Sequence, residues 1–146
     1  MTRRMLTALV ALVGVFVATY LAFYKAGFIG SLACGTGSCE TVQQSPWANL
    51  LGLPVAVWGV GYYVAVFALA FAGTTDRWAD DRRIPLVLML LTAWGVIFSG
   101  YLTYLELFVI HAICRYCVVS AVLAVIVFAL SWWDWRASRA LSGPAV

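Results

Sequence analysis

Residues 84–133 read IPLVLMLLTAWGVIFSGYLTYLELFVIHAICRYCVVSAVLAVIVFALSWW. Two apolar runs lie in this stretch, Ile84–Ile110 and Cys114–Trp133, separated only by His111, Ala112 and Ile113. An α-helix rises 1.5 Å per residue and crosses the hydrocarbon layer of a bilayer in about 20 residues. Each run is long enough, and the link between them leaves room only for a tight turn. Two further stretches of the same kind precede them, Met5–Tyr24 and Pro54–Ala72. The chain therefore predicts an all-α integral membrane four-helix bundle, one domain over 1–146, with an outward loop and a short interfacial helix between its first and second spans.

Composition agrees. Of the 146 residues, 64% are hydrophobic and 10% are charged. Soluble domains average roughly 45–50% apolar and about 25% charged residues. So little charge cannot keep a water-soluble globule dispersed, and so much apolar surface excludes intrinsic disorder. The net charge of +3 is small and its basic residues are scattered, which gives nucleic-acid binding no support. Arg3 and Arg4 before the first run also resemble a signal peptide. The run exceeds the usual 7–15-residue apolar core of such a peptide, and no A-x-A site closes it, so a retained helix is expected.

Seven of the nine Lys and Arg residues fall on one side: Arg3, Arg4, Arg77, Arg82, Arg83, Arg136 and Arg139. The positive-inside rule then makes both termini and the loop after the second span cytoplasmic. Lys25–Leu53 and the turn at His111–Ile113 face outward, as expected for a multi-pass protein of the plasma or inner membrane. Trp47, Trp78, Trp132, Trp133 and Trp135 fall near the span ends, where interfacial tryptophans belong.

All four cysteines lie on or near that outward face, the side on which disulfides persist. In Cys114-Arg115-Tyr116-Cys117 the sulfurs stand three residues apart at a helix start. Unpaired N–H groups, the helix dipole and Arg115 favour a reactive thiolate there. In Cys34-Gly35-Thr36-Gly37-Ser38-Cys39, small residues allow a ring that closes and reopens. A four-cysteine zinc site and inert packing are the alternatives for these residues, and zinc fits poorly at a bilayer edge on the oxidising side. For the loop pair, a purely stapling disulfide is the further alternative. Two pairs on one face favour thiol–disulfide exchange. After Cys39, Ser45 as N-cap and Pro46 as the first helical residue suggest the short interfacial helix, ended by Gly52 and Pro54 and anchored by Trp47.

The segment Cys39-x5-Ser45-x-Trp47 resembles the loop signature of the vitamin K epoxide reductase family. The run from Tyr101 to Cys114-x-x-Cys117 is similar to that family's third span and active-site cysteines. The likeness spans essentially the whole chain. The short length and missing ER-retention signal look like bacterial or archaeal members without a fused thioredoxin-like domain. The resemblance implies a quinone-dependent thiol–disulfide oxidoreductase, its cofactor a menaquinone, ubiquinone or vitamin K-like quinone. It also implies a separate thioredoxin-fold, DsbA-like partner. Catalytic roles then fall to Cys114 and Cys117 beside the quinone and to Cys34 and Cys39 as the shuttle pair. Cys34 would meet the partner, and a Cys39–Cys114 bridge would link the pairs. Ser45 would support the site. Two positions depart from the animal members: Val55 stands where they carry an asparagine, and Ala121 where they carry a tyrosine. Ser120, Tyr101, Tyr104 and Glu106 are the candidates to supply the missing quinone hydrogen bonds.

Glu106, the acidic residue within the predicted spans, reads as a headgroup-reaching side chain or as a proton relay. His111 reads as a solvated turn residue or as a partner for a thiolate. Tyr62 and Tyr63 are most simply packing. Two rivals remain. One is a DsbB-type oxidase of separate lineage, in which the C-x-x-C lies in the first outward loop rather than the second. The other is a non-enzymatic four-helix membrane protein with structural disulfides, for which polar groups at mid-bilayer are few.

Overall fold

The computed structural model describes residues 3–27, 46, 49–111 and 115–141. Four helices are long and apolar enough to cross a membrane. They are α1 (Arg3–Ala26), α2 (Val55–Ala72), α3 (Arg83–Tyr104) and α4 (Arg115–Leu141). A π-helical segment, Leu105–Ile110, continues α3, so the third span runs unbroken from Arg83 to Ile110. The four expected spans are all present.

The contacts follow a seven-residue rhythm. The buried residues of α1 include Thr7, Ala11, Gly14, Ala18 and Leu21, alternately four and three apart. In α4 the same spacing links Ala124, Val127 and Ser131. In α3 it links Pro85, Leu88, Thr92 and Gly95. Such a repeat keeps one stripe of each helix against its neighbours. Small residues dominate the α1 stripe, which lets α2 approach closely, as membrane helices do when no hydrophobic force separates protein from lipid. At the closest point the Tyr63 ring lies over Gly14, where any Cβ would overlap it. Helix α1 packs on α2 and α4, and α3 packs on α4, while α2 and α3 touch sparingly. The order around the bundle is α2–α1–α4–α3, with a loose seam between the two end members. Large apolar side chains such as Phe16, Ile97 and Val125 are exposed and belong in lipid.

One end of the bundle is tied by Arg4. Its Nε donates to Asp134 Oδ2 at 2.8 Å, and its Nη1 donates to the carbonyls of Gly73 at 2.8 Å and Ala79 at 3.0 Å. That single guanidinium joins the start of α1, the end of α2, the following turn and α4. It also explains why α4 continues past the expected end at Trp133. Asp134 is paired there, and the Arg139 guanidinium lies 4.9 Å from the Trp135 ring centre. Trp132 and Trp133 are exposed at this level, as interfacial residues are.

At the other end, Pro46, at the expected start of the short interfacial helix, is 3₁₀-helical, while the expected extent of that helix is corrected. Residues 49–54 form no helix. Asn49–Leu50 (β1) pairs antiparallel with Leu53–Pro54 (β2). Both turn residues have positive φ, 54° at Leu51 and 83° at Gly52. Two left-handed residues in succession fit a two-residue hairpin and cannot sit in a right-handed helix. Trp58 Nε1 donates to the Leu50 carbonyl at 3.0 Å and holds the hairpin against α2. Ser45 and Trp47, expected at the start of the helix, lie outside the described residues.

Gly14→Leu should lower the thermal unfolding temperature of the detergent-solubilised protein, by about 1–3 kcal/mol of overpacking at the Tyr63 ring. Gly100→Leu, on an exposed face with open space around it, is the control and should change little. Equal behaviour of the two variants would contradict the assigned α1–α2 contact.

Candidate functional site

The loose seam between α2 and α3 opens into a cavity of about 740 Å³ at the end of the bundle opposite Arg4. Its wall is mainly apolar, from Ala18 and Leu21 of α1, Trp58 of α2, Trp94 and Phe98 of α3, and the hairpin leucines. Size and lining fall in the usual range for a small-molecule site.

Cys117 lies on this wall, as the third residue of α4, within the turn whose backbone N–H groups lack helical partners. It is half-buried and packs against the cluster of Leu21 and Ala56, as Ile110 and Tyr116 also do. The Tyr116 ring meets Tyr20 of α1 at 5.1 Å, which fixes the start of α4 against α1. Spacings of three and four carry the α4 stripe from Val127 and Ala124 up through Ser120 to Cys117. The core repeat itself therefore brings the cysteine inward.

Ser120 sits one turn below Cys117. The Tyr63 hydroxyl donates to the Ser120 carbonyl at 2.6 Å and lies 2.9 Å from Ser120 Oγ. With its single proton on the carbonyl, the phenol oxygen accepts from the serine hydroxyl. Tyr63 is 2% exposed, so both groups are satisfied without water. This bond pins α2 to α4 beneath the cysteine.

Glu106 also lines the cavity and is only 4% exposed. The sequence offered a headgroup-reaching side chain as one reading, and the burial argues against it. The π-helical segment is the cause: its wider turn places both Leu105 and Glu106 inside. The segment ends at His111, whose φ of 58° reverses the chain and whose N–H donates to the Glu106 carbonyl. His111 itself is exposed.

Val55 and Ala121 reach the same wall and offer no hydrogen-bonding side chain. Tyr101 and Tyr104 do not reach it; both are exposed on the outer face of the third span, so neither can serve a ligand in this cavity. Thus Cys117, Ser120, Ala121, Val55 and Glu106 converge on one space. Cys34, Cys39, Ser45 and Cys114 lie outside the described residues.

Tyr62 was missed by the sequence reading. It lines the cavity, and its hydroxyl is buried with no hydrogen-bond partner among the described residues. A signal existed: Ala56, Tyr63 and Ala70 stand seven apart on the core stripe of α2. Residue 62 is one position off that stripe, about 100° around the helix, toward the seam.

Tyr63→Phe should cost about 1 kcal/mol through loss of the bond to Ser120. The measurement is thermal unfolding in detergent beside Ser120→Ala, and the double variant should cost less than the sum of the two single changes.

The sequence model of the family described as "Vitamin K epoxide reductase family" matches residues 5–132, from the first span well into the fourth.

Proposed function

The chain belongs to the vitamin K epoxide reductase family, and from that membership we propose that it oxidises the dithiol of a separate thioredoxin-fold, DsbA-like protein and passes the electrons to a membrane quinone. Membership makes it a multi-pass membrane oxidoreductase of the quinone-linked thiol–disulfide kind. The observation that carries the finer reading is Cys117 on the wall of an apolar cavity that opens between α2 and α3. A flat ring with a long apolar tail fits such a space, the tail leaving along the seam into lipid.

In the proposed cycle a partner thiolate attacks Cys34, breaking the Cys34–Cys39 bond and releasing the Cys39 thiolate. The partner's second thiol attacks its own mixed disulfide and frees Cys34. Cys39 then attacks Cys114, and Cys117 leaves as thiolate. Attack of Cys34 on Cys39 restores the shuttle bond and frees Cys114. Closing the Cys114–Cys117 bond gives up two electrons and two protons. A bound quinone supplies the two-electron, two-proton acceptor for that closure. Each exchange depends on thiolate fraction and leaving-group acidity.

Around these sulfurs, the described residues have supporting roles. Ser120 and Tyr63 hold the first turns of α4, and with them the height of Cys117. Glu106 offers a buried carboxyl that can hold a proton on the same wall. Val55 and Ala121 leave room for a ring. The Arg4 cluster lies at the end remote from Cys117 and, with the neighbouring arginines, supports a cytoplasmic position for both termini and an outward one for the cysteines.

Purified protein supplied with a reduced DsbA-like protein and ubiquinone or menaquinone should turn over, and Cys117→Ala should reduce the rate to background. Full turnover in that variant would remove the mechanism. With the parent protein, a reduced partner whose resolving cysteine is replaced by serine should accumulate a mixed disulfide with Cys34, formed as the Cys34–Cys39 bond breaks and visible on a non-reducing gel. Failure to form it, with Cys34 dispensable for turnover, would refute the shuttle order.

A further inference from the structure

Tyr62 and Tyr63 are neighbours on α2, yet their hydroxyls meet opposite fates. That of Tyr63 is bonded twice at Ser120. That of Tyr62 is buried with no partner among the described residues, on the wall of the cavity that holds Cys117. A phenol withdrawn from water and left unbonded is destabilising, and lipid offers no water as a substitute. A phenylalanine would fill the same space without that cost, so packing alone does not account for the oxygen.

The position of the hydroxyl is fixed from both sides. The Tyr63 ring is locked between Gly14 and Ser120, and it meets the Tyr62 ring edge-on at 5.0 Å and 69°. At its far end the Tyr62 hydroxyl rests against Gly95 of α3, where any Cβ would overlap it. The two rings thus bridge α1 to α3 and hold one phenol oxygen at the cavity edge. The Tyr62 oxygen, held against the third span at Gly95, and Cys117, on the fourth, thus line the same apolar cavity.

We propose that the Tyr62 hydroxyl donates a hydrogen bond to a carbonyl of a quinone bound in this cavity. This deepens the quinone reading above and rests on it. The hydroxyl proton is free to rotate toward the cavity because no other described residue accepts it. The bond orients the ring and draws electron density toward the oxygen that must become a hydroxyl. Tyr62 is in this sense a ligand-binding residue.

The test uses a short-chain menaquinone carrying ¹³C at its carbonyl carbons, bound to the full chain in detergent. Infrared difference spectra should show one carbonyl stretch lowered relative to the same quinone in empty micelles. In Tyr62→Phe that lowering should vanish, and the dissociation constant, read from quenching of tryptophan fluorescence, should rise roughly tenfold. The quinone-free Tyr62→Phe protein should unfold at the same temperature as the parent or higher, since the oxygen removed had no partner. A merely structural hydroxyl would lower that temperature and leave the carbonyl stretch in place, and this result overturns the proposal. An unchanged stretch and unchanged affinity in Tyr62→Phe, with normal turnover of the parent protein, overturn the Tyr62 assignment while leaving the quinone reading intact. No bound-carbonyl signal and no turnover in the parent protein would overturn both.

Discussion

A polar group inside a bilayer cannot turn to water, so the protein itself must satisfy it or it must serve a ligand. Four threonine and serine hydroxyls obey the first alternative by folding back on their own helix. Thr7 donates to the carbonyl of Arg3, Thr92 to Leu88, Thr103 to Ser99 and Ser131 to Val127, each four residues upstream. Such bonds need no second helix, which is why threonine and serine are tolerated in apolar spans. Tyr63 and Ser120 satisfy one another across two helices. The Tyr62 hydroxyl is buried with no partner among the described residues, and it lines the cavity that Cys117 also lines. The distribution of polar satisfaction thus points to one place in the fold.

That place exists because the helices are unequally matched. The alanines, threonine and glycine on the stripe of α1 let it seat α2 and α4 closely. Helix α3 presents bulkier side chains, Trp94 and Phe98 among them, and stands off from α2 except where Gly95 receives Tyr62. In lipid no hydrophobic force closes such a seam, because tails and side chains are equally apolar. The seam can therefore stay open to the membrane without loss of stability. The Arg4 clamp offsets the looseness by binding the opposite ends of α1, α2 and α4.

The spans were legible in the sequence because length and apolarity alone define them. Their termini were less so. Residues 134–141 look like a tail by composition, yet they continue α4 because Asp134 finds Arg4, a partner 130 residues away. The hairpin at 49–54 was misread because Ser45 and Pro46 carry a genuine helix-start signal, while the deciding fact, a left-handed Leu51, has no sequence mark. The π-helical segment is equally silent: its residues are ordinary helix formers, and only the burial of Glu106 beside Leu105 betrays the extra width. Cys117, Ser120, Glu106, Val55 and Ala121 could be named beforehand as candidates. That they share a wall required the helix phases. Tyr62 escaped for the same reason, since an aromatic on an all-round apolar helix reads alike whether it faces a neighbour, lipid or a cavity.

The two halves of the proposed chemistry belong to different solvents. Thiol exchange with a soluble partner requires sulfurs at the aqueous boundary, while an apolar-tailed acceptor dissolves in lipid. In the proposed cycle the loop pair meets the partner, so the cysteine at the cavity has to stay within reach of the outward sulfurs while touching the apolar space. The third residue of α4 meets both needs. It is the first position at which the core stripe is already facing inward, and it remains within the turn whose N–H groups are unpaired and polar. The third span ends at the left-handed His111, and the Tyr63–Ser120 bond keeps the first turns of α4 from sliding along their neighbours. Position, rather than any unusual side chain, is what the bundle contributes to the reactivity proposed for Cys117.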